Sequence, residues 1–165
     1  MTKLLKFLFD CVLVVGLAVL QSAPVASVYG IKPNLVMIFL LVESIFMGNF
    51  PKYAALSVLG TVFLRFTSGL ERESVVLFFL LIAAFIFKKY FIKKTLLSAV
   101  CLAGFSTLIF YLIADINFII ESPLLFVQET VYNVFIGIIF YYIIKTAYEK
   151  TEYIQRGFLS RGSDF

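Results

Sequence analysis

The chain has 165 residues, 62% of them hydrophobic and only 15% charged, with a mean hydropathy of +1.02 and a net charge of +4. A soluble domain is about 25% charged, so there is too little polar surface here to wrap such a core against water, and lipid is the expected solvent for most of the exterior. The length allows one domain, and spans of about 20 residues each would use nearly all of it, leaving no room for a separate soluble catalytic domain.

The first apolar segment covers residues 4–20 and is closed by Gln21, Ser22 and Pro24. Lys3 and Lys6, an apolar run and Ala23-Pro24-Val25-Ala26 have the outline of a secretory signal. Asp10 inside the run and the apolar chain that follows favour a retained first span. Residues 24–32 form a connector with Gly30 as a joint. The second span opens at Lys32-Pro33-Asn34 and ends near Met47, where Gly48-Asn49 signals a turn. The third runs from Pro51 to about Thr67. Both are short for a crossing, so they extend into flanking residues or sit in thinned bilayer.

Residues 68–74, with Glu71, Arg72 and Glu73, read as a polar turn, and 75–87 as the fourth span. Lys88, Lys89, Lys93 and Lys94 make a basic turn that would attract anionic lipid. The fifth span covers 95–114, residues 115–122 form a connector, and the sixth span covers 123–144. The reading is a six-helix transmembrane domain over 1–147 and a polar cytoplasmic tail over 148–165, helical at its start and frayed at its end. None of the four prolines interrupts a span. Pro33, Pro51 and Pro123 stand where helices begin, a position that needs no backbone N–H, and Ser122 is placed to cap the last. The spans must be helices, because lipid cannot satisfy a free backbone, and the runs lack the alternation of a barrel. The fold class is therefore all-α.

With the N-terminus in the cytoplasm, eleven of the fourteen basic residues fall on the inner side, and only Lys32, Arg65 and Arg72 on the outer. This positive-inside bias places both termini in the cytoplasm. Nucleic acid is not an expected partner, since the basic residues serve orientation.

The absence of histidine excludes Ser-His-Asp triads and imidazole metal or haem sites. Cys11 and Cys101 lie in apolar runs and read as packing residues, below the three or four ligands of a zinc site. No phosphate loop, HExxH or GxSxG occurs, so no catalytic residue, cofactor or metal is assigned and the chain is read as a non-enzyme.

Ionisable groups inside spans are costly and so are candidates for function. Asp10 and Glu43 share a depth in the inner half, and Lys6 precedes Asp10 by one helical turn. The three groups are open to several readings: both acids reaching the inner headgroups or pairing locally, an interhelical polar clamp, or a proton or cation pathway. Arg65 and Glu129 share a depth on the outer side and fit an ion pair, unless Arg65 reaches the headgroups alone. Asn133, four residues after Glu129, extends that polar stripe. Ala99, Ala103 and Gly104 form a small-residue face suited to packing within the chain or, less specifically, to dimerisation.

Three stretches together resemble the rod shape-determining MreD family. They are Leu20-Gln21 at the end of the first span, Lys32-Pro33-Asn34-Leu35-Val36 at the start of the second, and Tyr132-Asn133-Val134-Phe135 in the last. Each motif is short; their order and spacing carry the likeness, which covers most of the chain in layout. Arg65 departs from the family, where an acid is common at that place, so no role of that acid transfers. The resemblance implies a fold like the six-helix substrate-binding subunit of energy-coupling factor transporters. It also implies a non-catalytic part of the elongation machinery in the bacterial cytoplasmic membrane. Such a protein binds the bitopic protein MreC and, with peptidoglycan synthase components, regulates cell shape and lateral wall synthesis. Gln21, Pro33, Asn34, Leu35 and Asn133 are then the partner or packing candidates. The competing expectation is a vitamin-type transporter subunit, with Arg65, Glu129 and Asn133 lining an outward-facing pocket.

Overall fold

A computed structural model describes residues 3–23, 31, 33–68, 71–91 and 94–161. Most of the expected 24–32 connector, parts of the polar and basic turns, and residues 162–165 lie outside them. Seven helices follow in order: α1 (Lys3–Ser22), α2 (Leu35–Phe46), α3 (Phe50–Ser68), α4 (Glu71–Phe91), α5 (Leu96–Ala114), α6 (Ile116–Glu121) and α7 (Pro123–Arg161). The described residues are all-helical in their regular structure, as expected. Three helices contain stretches long and apolar enough to cross a membrane: Leu5–Ser22, Leu96–Ala114 and Pro123–Lys150.

α2 is the hub. Every residue from Leu35 to Ile45 is buried, with α7, α4, α1, α5 and α3 arranged around it. A helix hydrophobic on all faces belongs at the centre of a bundle, and LVMIFLLVESIF has just two polar side chains. With 12 residues it is about 18 Å long, well short of the roughly 30 Å of bilayer hydrocarbon. The expected extension of this segment into its flanks does not occur, because Pro33 and Asn34 set its start and Gly48-Asn49 follows its end.

Two other boundaries differ from expectation. Glu71–Ser74 and Lys88–Lys89, read as turns, are the first and last turns of α4. Acidic residues at a helix start and basic ones at its end oppose the macrodipole favourably, so these charges extend the helix. The 115–122 connector contains the short helix α6, capped by Asp115 Oδ1, which accepts the Phe118 N–H at 3.3 Å. Ser122 joins α6 to α7 through its backbone: its N–H meets the Phe118 carbonyl at 3.0 Å and its carbonyl the Phe126 N–H at 3.1 Å. α7 then runs without a break through the expected domain boundary at 147/148.

The close-packed centre depends on small residues. A Cβ on Gly60 of α3 would lie 2.8 Å from Val36 Cγ1 and 3.1 Å from Val14 Cγ1, so α1, α2 and α3 meet there. Gly137 of α7 similarly faces Ala103 and Ile38. Ala99 and Ala103 are buried, so much of the small-residue face of α5 is consumed by packing within the chain. The outer surface is apolar as well: Phe66 is 82% exposed, Val12 72% and Leu97 71%. An apolar exterior over an apolar core suits a hydrocarbon solvent better than water.

Candidate functional site: two polar nodes that cap the central helix

A helix end leaves backbone groups without intrahelical partners, and burying them unpaired is costly. Both ends of α2 are inside the bundle, so other parts of the chain must supply partners.

At the N-terminal end, the Leu35 N–H donates to the Pro33 carbonyl at 3.0 Å and the Ile38 N–H to the Asn34 carbonyl at 3.0 Å. The Met37 N–H donates to Asn34 Oδ1 at 3.2 Å, a side-chain N-cap. The Val36 N–H donates to Gln21 Oε1 on α1 at 3.1 Å. Gln21 Nε2 in turn donates to Asn34 Oδ1 at 3.3 Å. The Asn34 N–H donates to Asn133 Oδ1 on α7 at 3.0 Å, and Asn133 Nδ2 donates to Thr107 Oγ1 on α5 at 3.2 Å. Thr107 Oγ1 donates to the Ala103 carbonyl at 2.8 Å. Asn133 is wholly buried and uses both ends of its amide. Gln21, Pro33, Asn34, Leu35 and Asn133, chosen from three separate stretches, therefore share one node. Leu35 contributes as the first, buried residue of α2, and Thr107, which no sequence motif marks, joins them.

At the other end, the Lys88 ammonium from α4 donates to the Ser44 carbonyl at 2.6 Å and to the Met47 carbonyl. It also sits 3.8 Å above the Phe85 ring. A cation there complements the helix dipole. Glu43, 2% exposed, accepts the Tyr148 hydroxyl of α7 at 2.7 Å. The Lys6 ammonium of α1 lies 3.0 Å over the Tyr148 ring, and Phe46 packs against Tyr148 at 5.5 Å and Tyr141 at 5.6 Å. Asp10 is buried beside these groups and feels the charges of Lys6 and Lys52. Lys6, Asp10 and Glu43 thus gather as one inner cluster, but Tyr148, rather than a Lys6–Asp10 ion pair, is its central contact. Tyr148 and Lys88 fall in the expected tail and basic turn, and no local sequence signal marks either as an interior group.

Glu129 and Arg65 are not brought together. Glu129 is buried and accepts the Tyr111 hydroxyl at 2.7 Å, with the Tyr111 ring stacked on Phe118 at 4.8 Å. Arg65 is exposed in the last turn of α3. α3 packs on α1, α4 and α2, whereas α7 packs on α5, α2 and α6, so the expected neighbour relation fails at the level of helices. Between the nodes, α5, α7 and α2 meet at Ala103, Gly137 and Ile38, and no run of polar contacts joins one node to the other among the described residues. Cys11 and Cys101 are free thiols, and no group of three His, Cys, Asp or Glu gathers among the described residues.

Fold and site together define an all-helical bundle built on a short buried helix that side chains cap at both ends. Comparison with protein-family models, with curated proteins and with solved structures finds no match to this chain.

Proposed function

We propose that this chain is a multi-pass, MreD-like scaffold of the cell-elongation machinery in the bacterial cytoplasmic membrane. In this reading it is non-catalytic, has both termini in the cytoplasm, binds MreC, and helps regulate lateral peptidoglycan synthesis with the elongation synthase. One observation carries the reading: the Asn34 N–H on Asn133 Oδ1 at 3.0 Å, with Gln21 bound to the same short segment. The residues on which the family resemblance rests are thus coupled physically, and their order along the chain has a structural reason. Their polar atoms serve backbone and one another, which suits a rigid platform for a partner helix.

The inner-half basic residues cluster in agreement with the proposed orientation. Lys6, Lys52, Lys88 and Lys94 are associated with the end of the bundle where Tyr141 and Tyr148 lie, while Arg72 meets the Ile113 carbonyl at the opposite end. All six long or central helices would then lie within the bilayer in a fold of the transporter-subunit type, with α2 held at mid-depth. The transporter function itself draws no support from the outer stripe, since Asn133 and Glu129 are engaged and Arg65 is remote from both.

The test is recovery of the tagged full chain from its native membrane in mild detergent and identification of what accompanies it. MreC and a wall synthase are expected. An ATPase coupling module in their place would overturn the proposal.

A further inference from the structure

Asp10 is the buried carboxylate that the capping network leaves over. Glu43 receives the Tyr148 hydroxyl and Glu129 the Tyr111 hydroxyl. Asp10, 6% exposed, has no hydrogen bond and no ion pair among the described residues. A carboxylate taken from water is stabilised only by donors that replace the water. The two ammoniums whose charges reach it rest over aromatic rings rather than on its oxygens: Lys6 over the Tyr148 ring at 3.0 Å and Lys52 over the Phe7 ring at 5.6 Å. Among the described residues, Ser57 Oγ is the fully enclosed side-chain polar atom without a partner. The Asp10 oxygens are therefore not fully enclosed, although the residue as a whole is buried.

We propose that Asp10, Lys6 and Lys52 bind the headgroup of a zwitterionic phospholipid with a primary ammonium, the ethanolamine type. The proposal rests on the membrane reading above and not on the assignment to the elongation machinery. A further cation alone would meet two lysines, and an anion alone would meet Asp10 and the nearby Glu43, so a group carrying both charges fits best. Lys6 and Asp10 stand one turn apart on the same face of α1, a spacing that the two-carbon ethanolamine arm spans. The ammonium donates to Asp10 while the phosphate lies between the two lysines. Choline has no N–H and cannot make the first contact. Beside the site, Leu5, Leu8, Phe9 and Val12 are exposed on α1 and offer the acyl chains an apolar strip.

The full chain is purified in neutral detergent, offered ethanolamine-, choline- and glycerol-headed phospholipids with identical acyl chains, and read by native mass spectrometry. Ethanolamine lipid is expected to be retained about tenfold over its choline analogue, the worth of one charge-assisted hydrogen bond. Asp10→Asn should erase that preference, and Lys52→Gln should lower retention of both lipids. Inorganic phosphate at millimolar concentration should displace neither. Equal retention of the two lipids by the unaltered chain overturns the proposal, as does an undiminished preference in Asp10→Asn, stronger retention of the glycerol lipid, or displacement by phosphate. If Asp10→Asn fails to fold, the comparison on the unaltered chain decides alone. Release of the chain from alkali-washed membranes would instead defeat the membrane reading, a result distinct from equal lipid retention by a chain that stays embedded.

Discussion

The backbone N–H of Asn34 and the side-chain carbonyl of Asn133 meet at 3.0 Å across 99 positions of sequence. This bond ties the start of the central helix to α7, and through Asn133 Nδ2 to Thr107 of α5. The amide therefore closes three helices around one buried end.

Asn133→Leu removes the acceptor for Asn34 and the donor to Thr107 together. Each buried polar group left unpaired costs about 1–3 kcal/mol, so a loss of about 2–4 kcal/mol is expected. A thermal melt of the purified chain in detergent should show a clear fall in Tm, with weaker recovery of the proposed partner complex. An unchanged Tm and an unchanged complex yield would contradict the role given to this node.

Gln21→Leu acts on the same helix end by freeing the Val36 N–H and the Gln21 contact to Asn34. The two positions share Asn34, so their effects should not add. A double-mutant cycle is expected to give a coupling of about 0.5–3 kcal/mol. Strict additivity would mean that the contacts are independent.

Gly60→Leu tests the close approach of α1, α2 and α3. Even the first carbon of a side chain would fall 2.8 Å from Val36 Cγ1, and overpacking of this kind costs about 1–3 kcal/mol, occasionally more. Val36→Ala in the same chain should recover part of the loss. A Gly60→Leu chain as stable as the parent would place the crossing elsewhere.

Tyr148→Phe removes the hydroxyl on Glu43 while leaving the ring under Lys6. The lone carboxylate should cost the protein about 1–3 kcal/mol. Replacing both partners, as Glu43→Leu with Tyr148→Phe, should destabilise less than the sum of the single changes, because neither leaves a partner stranded. Chemical denaturation of the four chains in one detergent measures the cycle.

Lys88→Met uncaps the other end of α2, releasing the Ser44 and Met47 carbonyls. A fall of about 1–3 kcal/mol is expected for these charge-assisted bonds, with Lys88→Arg closer to the parent. Proteolysis or hydrogen exchange confined to the last turn of α2 should report the change first.

Much of the helical layout was legible in the chain. Pro51 and Pro123 marked helix starts because a proline nitrogen needs no partner in a first turn, and Pro33 marked one by standing just before the Asn34 cap of α2. Burial of Asp10, Glu43, Glu129 and Asn133 was also readable, since each interrupts an apolar run. Their partners were not. Arg65 and Glu129 have matching depths, yet depth says nothing about which helices are neighbours around a bundle. Tyr148 and Lys88 looked like solvent residues because their local sequences are charged, while α4 and α7 carry them past the expected segment ends to reach Phe46, Glu43 and the last carbonyls of α2.

By itself, the sequence determined an all-helical chain with an apolar exterior and a few costly polar groups in its interior. These follow from composition, period and the local chemistry of proline, asparagine and lysine. Tertiary structure alone decided that α2 is central and short, that its two ends are capped by Gln21, Asn34, Asn133 and Lys88, and that Glu129 meets Tyr111 in place of Arg65. The reason is that a hydrogen bond between distant residues depends on which helices become neighbours. That choice is made by the packing of small residues such as Gly60, Ala103 and Gly137 across several helices at once, a constraint no single stretch of sequence contains.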